Sequence, residues 1–252
     1  LTSPDPPAVP WWIDASQASA EADRARASEL GLGVVSKQPK SGFYIARKQC
    51  GLALFKANTK SRQHDSFCPD LTITLAQRSG SHRTSPLARA CGLHRRHGLS
   101  IVDATAGLGN DSAVLAGFGC RLTAIERNPV VAAIARDALQ RAHAAGLFKD
   151  TWTQIHFDDA RHLLARQHIE QPDVVLIDPM FCAPRRKAKP KKIIAWFGEL
   201  IGPDADAEAL LSVARRTAQK RVVIKRHARQ QPIGTPTLEL GQRAVRFDVY
   251  LG

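Results

Sequence analysis

From residue 99 onward, short apolar runs alternate with amphipathic stretches. Residues 100–103 read as a buried strand, 110–118 as a helix after a glycine turn, and 121–126 as the next strand. Residues 129–145 form a long amphipathic helix with Pro129 at a favoured first-turn position. A strand over 153–157 and a helix over 160–167 follow. Residues 173–178 have the apolar interior expected inside a parallel sheet. A helix over 206–218, a strand over 221–225 and two strands at 237–240 and 246–251 complete the pattern. This alternation predicts an α/β fold: a doubly wound, mostly parallel sheet with an antiparallel C-terminal strand.

The first part of the chain is less regular. Prolines 4, 6, 7 and 10 oppose helix in the first ten residues, with Trp11 and Trp12 as an anchor. Residues 15–30 predict a helix stopped by Gly31 and Gly33. Residues 43–45 and 51–55 suggest strands of a small sheet, 71–75 alternates with period two as a strand would, and 86–92 suggests a short helix. Two units are expected: an N-terminal α+β extension over 1–98, contacting RNA, and a catalytic domain over 99–252.

The net charge of +13 directs attention to a polyanionic partner. Its distribution is uneven: residues 1–36 hold five acidic and two basic residues, whereas 37–98 hold twelve Lys or Arg against two Asp. No apolar run reaches the roughly 18–20 residues of a membrane span. The first ten residues show no basic or long apolar signal segment, so a cytoplasmic location is expected. Cys50, Cys68, Cys91, Cys120 and Cys182 lack any Cys-x-x-Cys spacing. Thiols in a reducing compartment are therefore expected, with neither disulfides nor a metal site.

The strand ending at Asp103 enters Ala-Thr-Ala-Gly107-Leu-Gly109-Asn110-Asp111. A glycine turn between strand and helix lets a ligand approach the backbone and meet the helix N-terminus. Ser112 stands where the dinucleotide-binding pattern requires a third glycine, which disfavours a nicotinamide enzyme. With Asp103 ahead of it, the turn resembles motif I of class I methyltransferases. Glu126 ends the next strand about 20 positions on, where a carboxylate can accept both ribose hydroxyls. Asp158 and Asp159 follow the third strand, where an acceptor for the adenine amine is common; either could cap the next helix instead.

The strand over 173–178 leads into Asp178-Pro179-Met180-Phe181, which resembles the (Asn/Asp/Ser)-Pro-Pro-aromatic motif of amino-group methyltransferases. The exocyclic amine of a base is a poor nucleophile because its lone pair is delocalised. The Asp178 carboxylate and the Pro179 carbonyl can hold its hydrogens and favour positive charge on nitrogen, while Phe181 offers a stacking face. Arg185, Arg186, Lys187, Lys189, Lys191 and Lys192 follow at the sheet's carboxyl edge, suited to RNA phosphates. Lys225 and Arg226, ending the next strand, are expected to extend that patch.

Taken together, residues 103–111, 125–133, 178–181, 221–226 and 246–250 resemble the ribosomal RNA small subunit methyltransferase J family. The resemblance implies a class I, Rossmann-like fold, S-adenosylmethionine as cofactor and no metal. It further implies methylation of a guanine N2 amine in small-subunit (16S) ribosomal RNA, free or in an assembling subunit, by an enzyme expected to be monomeric. It carries cofactor contacts to Asn110, Asp111, Glu126, Arg127, Asp158, Asp159 and Asp178. Asn110 departs from a more familiar basic residue, and Asp158 and Asp159 from small hydroxyl residues. Competing readings are an adenine-N6 or DNA amino-methyltransferase and a non-catalytic nucleic-acid-binding protein on the same fold.

Overall fold

The computed structural model describes residues 9–58, 64–73, 83–148, 152–166, 169–179, 192–201, 206–242 and 244–252. The smaller of its two sheets comes from β1 (Trp11–Trp12), β2 (Val34–Val35), β3 (Phe43–Lys48), β4 (Gly51–Lys56) and β5 (Asp65–Phe67), in the order β2-β1-β3-β4-β5. Helix α1 (Ala20–Glu29) lies between β1 and β2. It begins later than the composition of 15–30 suggests, because Asp14 accepts from the backbone and hydroxyl of Ser16 and closes a turn there. The strand expected over 71–75 is overturned where it is described: residues 71–73 are helical, and 74–75 lie outside the described residues. Asp70 accepts from the Thr72 N–H, as a helix-capping residue does, and this local bond outweighs the period-two pattern.

The larger sheet follows α2 (Pro86–Ala90). Its parallel strands are β6 (Ser100–Asp103), β7 (Arg121–Glu126), β8 (Trp152–Phe157), β9 (Val174–Ile177) and β10 (Arg221–His227). Strands β11 (Leu238–Gln242) and β12 (Val245–Leu251) join antiparallel, giving the order β11-β12-β10-β9-β6-β7-β8. The connecting helices are α3 (Asn110–Gly117), α4 (Pro129–Ala144), α5 (Ala160–Ala165), α6 (Lys192–Ile201) and α7 (Ala207–Thr217). The chain leaves β6 toward β7 on one side and returns to β9 on the other. The carboxyl ends of β6 and β9 therefore flank the switch point, where α/β sheets bind ligands. No described helix is long and apolar enough to cross a membrane.

Helix α4 joins the two sheets. Val130 to Ile134 pack with Trp11, Ile45, Leu52 and Leu54 of the smaller sheet, whereas Ala135, Ala138, Leu139 and Ala142 share a core with Ile101, Leu115 and Leu122. At that seam Asp137 accepts from the Leu52 N–H and pairs with Arg47 and Arg141, and Arg47 also pairs with Asp23. Burial alone would raise the Asp137 carboxyl, but the Arg141, Leu52 and Arg47 hydrogen bonds bring it below its ordinary value. Leu71 and the α2 residues Leu87, Ala88 and Ala90 belong to the larger sheet's core, so the chain ahead of residue 99 already packs against that sheet.

Candidate active site

The turn after β6 is stitched to both neighbouring strands. Ala104 N–H donates to Leu176, Ala106 N–H to Ile125, and Asp178 N–H to the Thr105 hydroxyl at 2.6 Å. Gly107 and Gly109 both take positive φ, for different reasons. A side chain at Gly107 would meet only the Thr105 carbonyl, at 4.0 Å, so its backbone is open to a ligand. A side chain at Gly109 would strike Leu139 of α4 at 2.9 Å, so this glycine serves packing.

Glu126 sits at the end of β7 with one oxygen accepting from Gly107 N–H (2.9 Å) and the other from Asn128 N–H (2.7 Å). It lines a cleft with Thr105, Gly107, Asp159, Asp178 and Pro179. The outer wall is an ion-pair chain: Asp206 bonds Arg127 (2.7 Å) and Arg161 (3.2 Å), and Arg161 bonds Asp159 (2.5 Å). Asp159 also caps α5, and the Arg161 bond holds its carboxyl below the ordinary value. Asp158 accepts from the Asp159 N–H at 2.7 Å. Asn110 is exposed at the first position of α3.

Asp103 is not on the cleft surface. It is 2% exposed and accepts from Ser112 Oγ and Thr105 N–H, bracing the turn from beneath. Burial pushes its carboxyl up to about 7 against the Ser112 bond, with help from the charges of Asp111 and Asp178. The expectation of direct cofactor contact is corrected accordingly: desolvated and engaged, Asp103 supports the residues that line the cleft.

Lys225 and Arg226 also depart from expectation. The Lys225 ammonium lies 2.6 Å from Asp111 and 2.6 Å from Asp178. Arg226 points to the opposite face, where it is 5% exposed and paired with Asp248 and Glu239. Both cations are consumed internally, so they do not extend a phosphate-holding patch. Phe181, Arg185, Arg186, Lys187, Lys189 and Lys191 lie outside the described residues, and Lys192 is the first residue of α6. Pattern reading missed the Arg161–Asp206 wall, α6 and the Thr105–Asp178 stitch.

The open backbone at Gly107 and the Glu126 carboxylate fit the amino-acid and ribose portions of S-adenosylmethionine, with Asp178 and Pro179 lining the same cleft. A family model described as "Putative SAM-dependent methyltransferase" matches residues 28–252. "Ribosomal RNA small subunit methyltransferase J" of Halorhodospira halophila is 40% identical over 240 residues, covering 90% of this chain and 88% of that protein. Its namesake in Alkalilimnicola ehrlichii is 35% identical, covering 100% of this chain and 94% of its own. A crystal structure of a SAM-dependent methyltransferase from Neisseria gonorrhoeae superposes with a TM-score of 0.74 at 30% identity, covering 96% of each chain. On this combination of sheet order, turn and relatives, the chain belongs to the ribosomal RNA small subunit methyltransferase J family and is an S-adenosylmethionine-dependent methyltransferase.

Proposed function

We propose that this enzyme methylates the exocyclic N2 amine of a guanine in small-subunit ribosomal RNA, as the names of its relatives suggest for the RNA and the family resemblance for the guanine. The observation that carries the reading is Asp178 at the carboxyl end of β9. It is fixed through its N–H by Thr105 and through its carboxylate by Lys225, beside the cleft that Glu126 also lines.

The cofactor supplies an electrophilic methyl group on a sulfonium. The chain's own residues supply position and charge. Asp178 accepts one amine hydrogen and the Pro179 carbonyl the other, which aligns the nitrogen lone pair and stabilises positive charge as the N–C bond forms while the methyl–sulfur bond breaks, the surplus proton then leaving the nitrogen to solvent. Phe181 stacks on the extruded base. The basic run 185–192 holds the flanking phosphates, consistent with the net charge of +13.

The test is single-turnover methyl transfer to small-subunit RNA at saturating cofactor, followed by nucleoside analysis. N2-methylguanosine is the expected product, and methylated adenosine would overturn the substrate assignment. Asp178→Ala is expected to cost about 2.7–4 kcal/mol in the transfer step, like other preorganised transition-state groups. A rate near that of the wild type would remove Asp178 from the chemistry.

A further inference from the structure

Side chains alternate along each strand, so Asp103 on β6 lies on the same sheet face as Val174 and Leu176 of β9 and Val223 of β10. Asp178 and Lys225 each stand two residues beyond a member of that face. Ile177 pairs in register with Ile224, which brings the next residues, Asp178 and Lys225, side by side. Asp111 and Ser112, from the first turn of α3, lie against the same row. Two carboxylates, from α3 and the end of β9, thus meet one ammonium, with the buried Asp103 behind them.

The four groups have unequal access to solvent. The Asp178 side chain is 39% exposed, against 9% for Asp111 and 22% for Lys225. Asp178 is therefore the member that can reach a substrate. Among the described residues, titratable groups near the row include the Cys91 thiol, which burial keeps protonated, and His227, two residues further along the Lys225 face of β10. Burial works against the Lys225 charge, but Asp178 and Asp111 more than reverse it and raise its proton affinity.

We propose that Lys225 is a positioning residue for methyl transfer: its ammonium fixes the Asp178 carboxylate toward the target amine and offsets the charge that Asp111 places beside it. The proposal rests on the reading of Asp178 as the amine acceptor. Lys225 touches neither the amine nor the methyl group. One Asp178 oxygen, Oδ2, is committed to it, which sets the carboxylate's rotation. Without the ammonium, Asp178 would lose the cation that stands between it and the Asp111 carboxylate. A proton would then bind Asp178 more readily, and a protonated acceptor loses its preference for a cationic nitrogen.

The experiment compares Lys225→Met, Lys225→Arg and Lys225→Met combined with Asp111→Asn in single-turnover transfer at saturating cofactor, from about pH 6 to 9. Lys225→Met is expected to lose rate most strongly at the acid end of the range and to recover as pH rises, with its acid limb above that of the wild type. Lys225→Arg should keep most of the wild-type profile. The double variant should move the limb part of the way back, because one competing negative charge is gone. A Lys225→Met profile like the wild type, or a uniform loss that Asp111→Asn does not relieve, would overturn the assignment. If Lys225→Met fails to show a thermal shift with S-adenosylhomocysteine, Lys225→Gln carries the same prediction. Asp178→Ala separates the two claims. Wild-type rates in it refute the acceptor reading itself, whereas an inactive Asp178→Ala beside an unshifted Lys225→Met refutes only the role of Lys225.

Discussion

Glu126 holds the glycine turn and the start of α4 together, accepting from Gly107 N–H and from Asn128 N–H, which begins the α4 cap. The same carboxylate faces the cleft, where it is suited to ribose hydroxyls. Glu126→Ala should therefore weaken S-adenosylhomocysteine binding by about 1.5–3 kcal/mol, the scale of hydrogen bonds to a charged group. At saturating cofactor its single-turnover rate should stay near that of the wild type, because its proposed contact is with the cofactor and not with the amine. Calorimetry on the folded variant is the check, and unchanged affinity would take Glu126 out of the site. At this scale the sequence was informative about which residues matter and much less so about what each does. Asp103, Glu126 and Asp178 stand out as acidic strand ends. That Asp103 is buried under the turn depends on Ser112 folding back onto it from α3, and that Lys225 serves carboxylates rather than phosphates depends on partners 114 and 47 positions away.

Elements were legible where periodicity and punctuation agreed. Strand β7, with its Glu126 terminus, and α4, opened by Asn128 and Pro129, carry their own boundaries. Residues 71–73 were misread because alternation over so short a stretch is weaker than one aspartate capping a turn. Helix α6 was missed because its sequence runs from lysines straight into Ile193, Trp196 and Phe197, with no polar start signal. The Asp137 network shows how one buried group can hold two elements in place. Asp137→Ala would leave Arg47 and Arg141 without their shared partner and the Leu52 N–H unsatisfied. It should cost about 3–5 kcal/mol, the range for breaking one side of a buried pair. Urea unfolding would check this as a lower midpoint at unchanged slope; a loss within about 0.5 kcal/mol would mean that the network is dispensable.

For the whole molecule, the net charge of +13 suits a polyanionic substrate such as the proposed RNA. Each phosphate contact contributes roughly 0.7–0.9 to the slope of log affinity against log salt. Neutralising Arg185, Arg186, Lys187 and Lys189 together should flatten that slope for small-subunit RNA and leave S-adenosylhomocysteine affinity unchanged. Equal slopes for variant and wild type would identify the run as a merely solvated face. The larger sheet's mostly parallel, doubly wound character was implied by the strand–helix alternation, whereas the union of the two sheets was not, because it depends on which sides of α4 are apolar at once.

Helix α4 has ten of its sixteen residues buried, five of them alanines at 132, 133, 135, 138 and 142. Close approach from both sides leaves no room for larger side chains at those positions. The two sheets therefore cannot drift apart in evolution as a catalytic core and an interchangeable accessory would. A substitution that reshapes the smaller sheet's underside must be answered on α4, and thus within the shell of the cofactor cleft. For the same reason, excising the smaller sheet would yield no minimal enzyme. It would lay bare the apolar band from Val130 to Ile134, a surface more apt to clump than to bind a ligand.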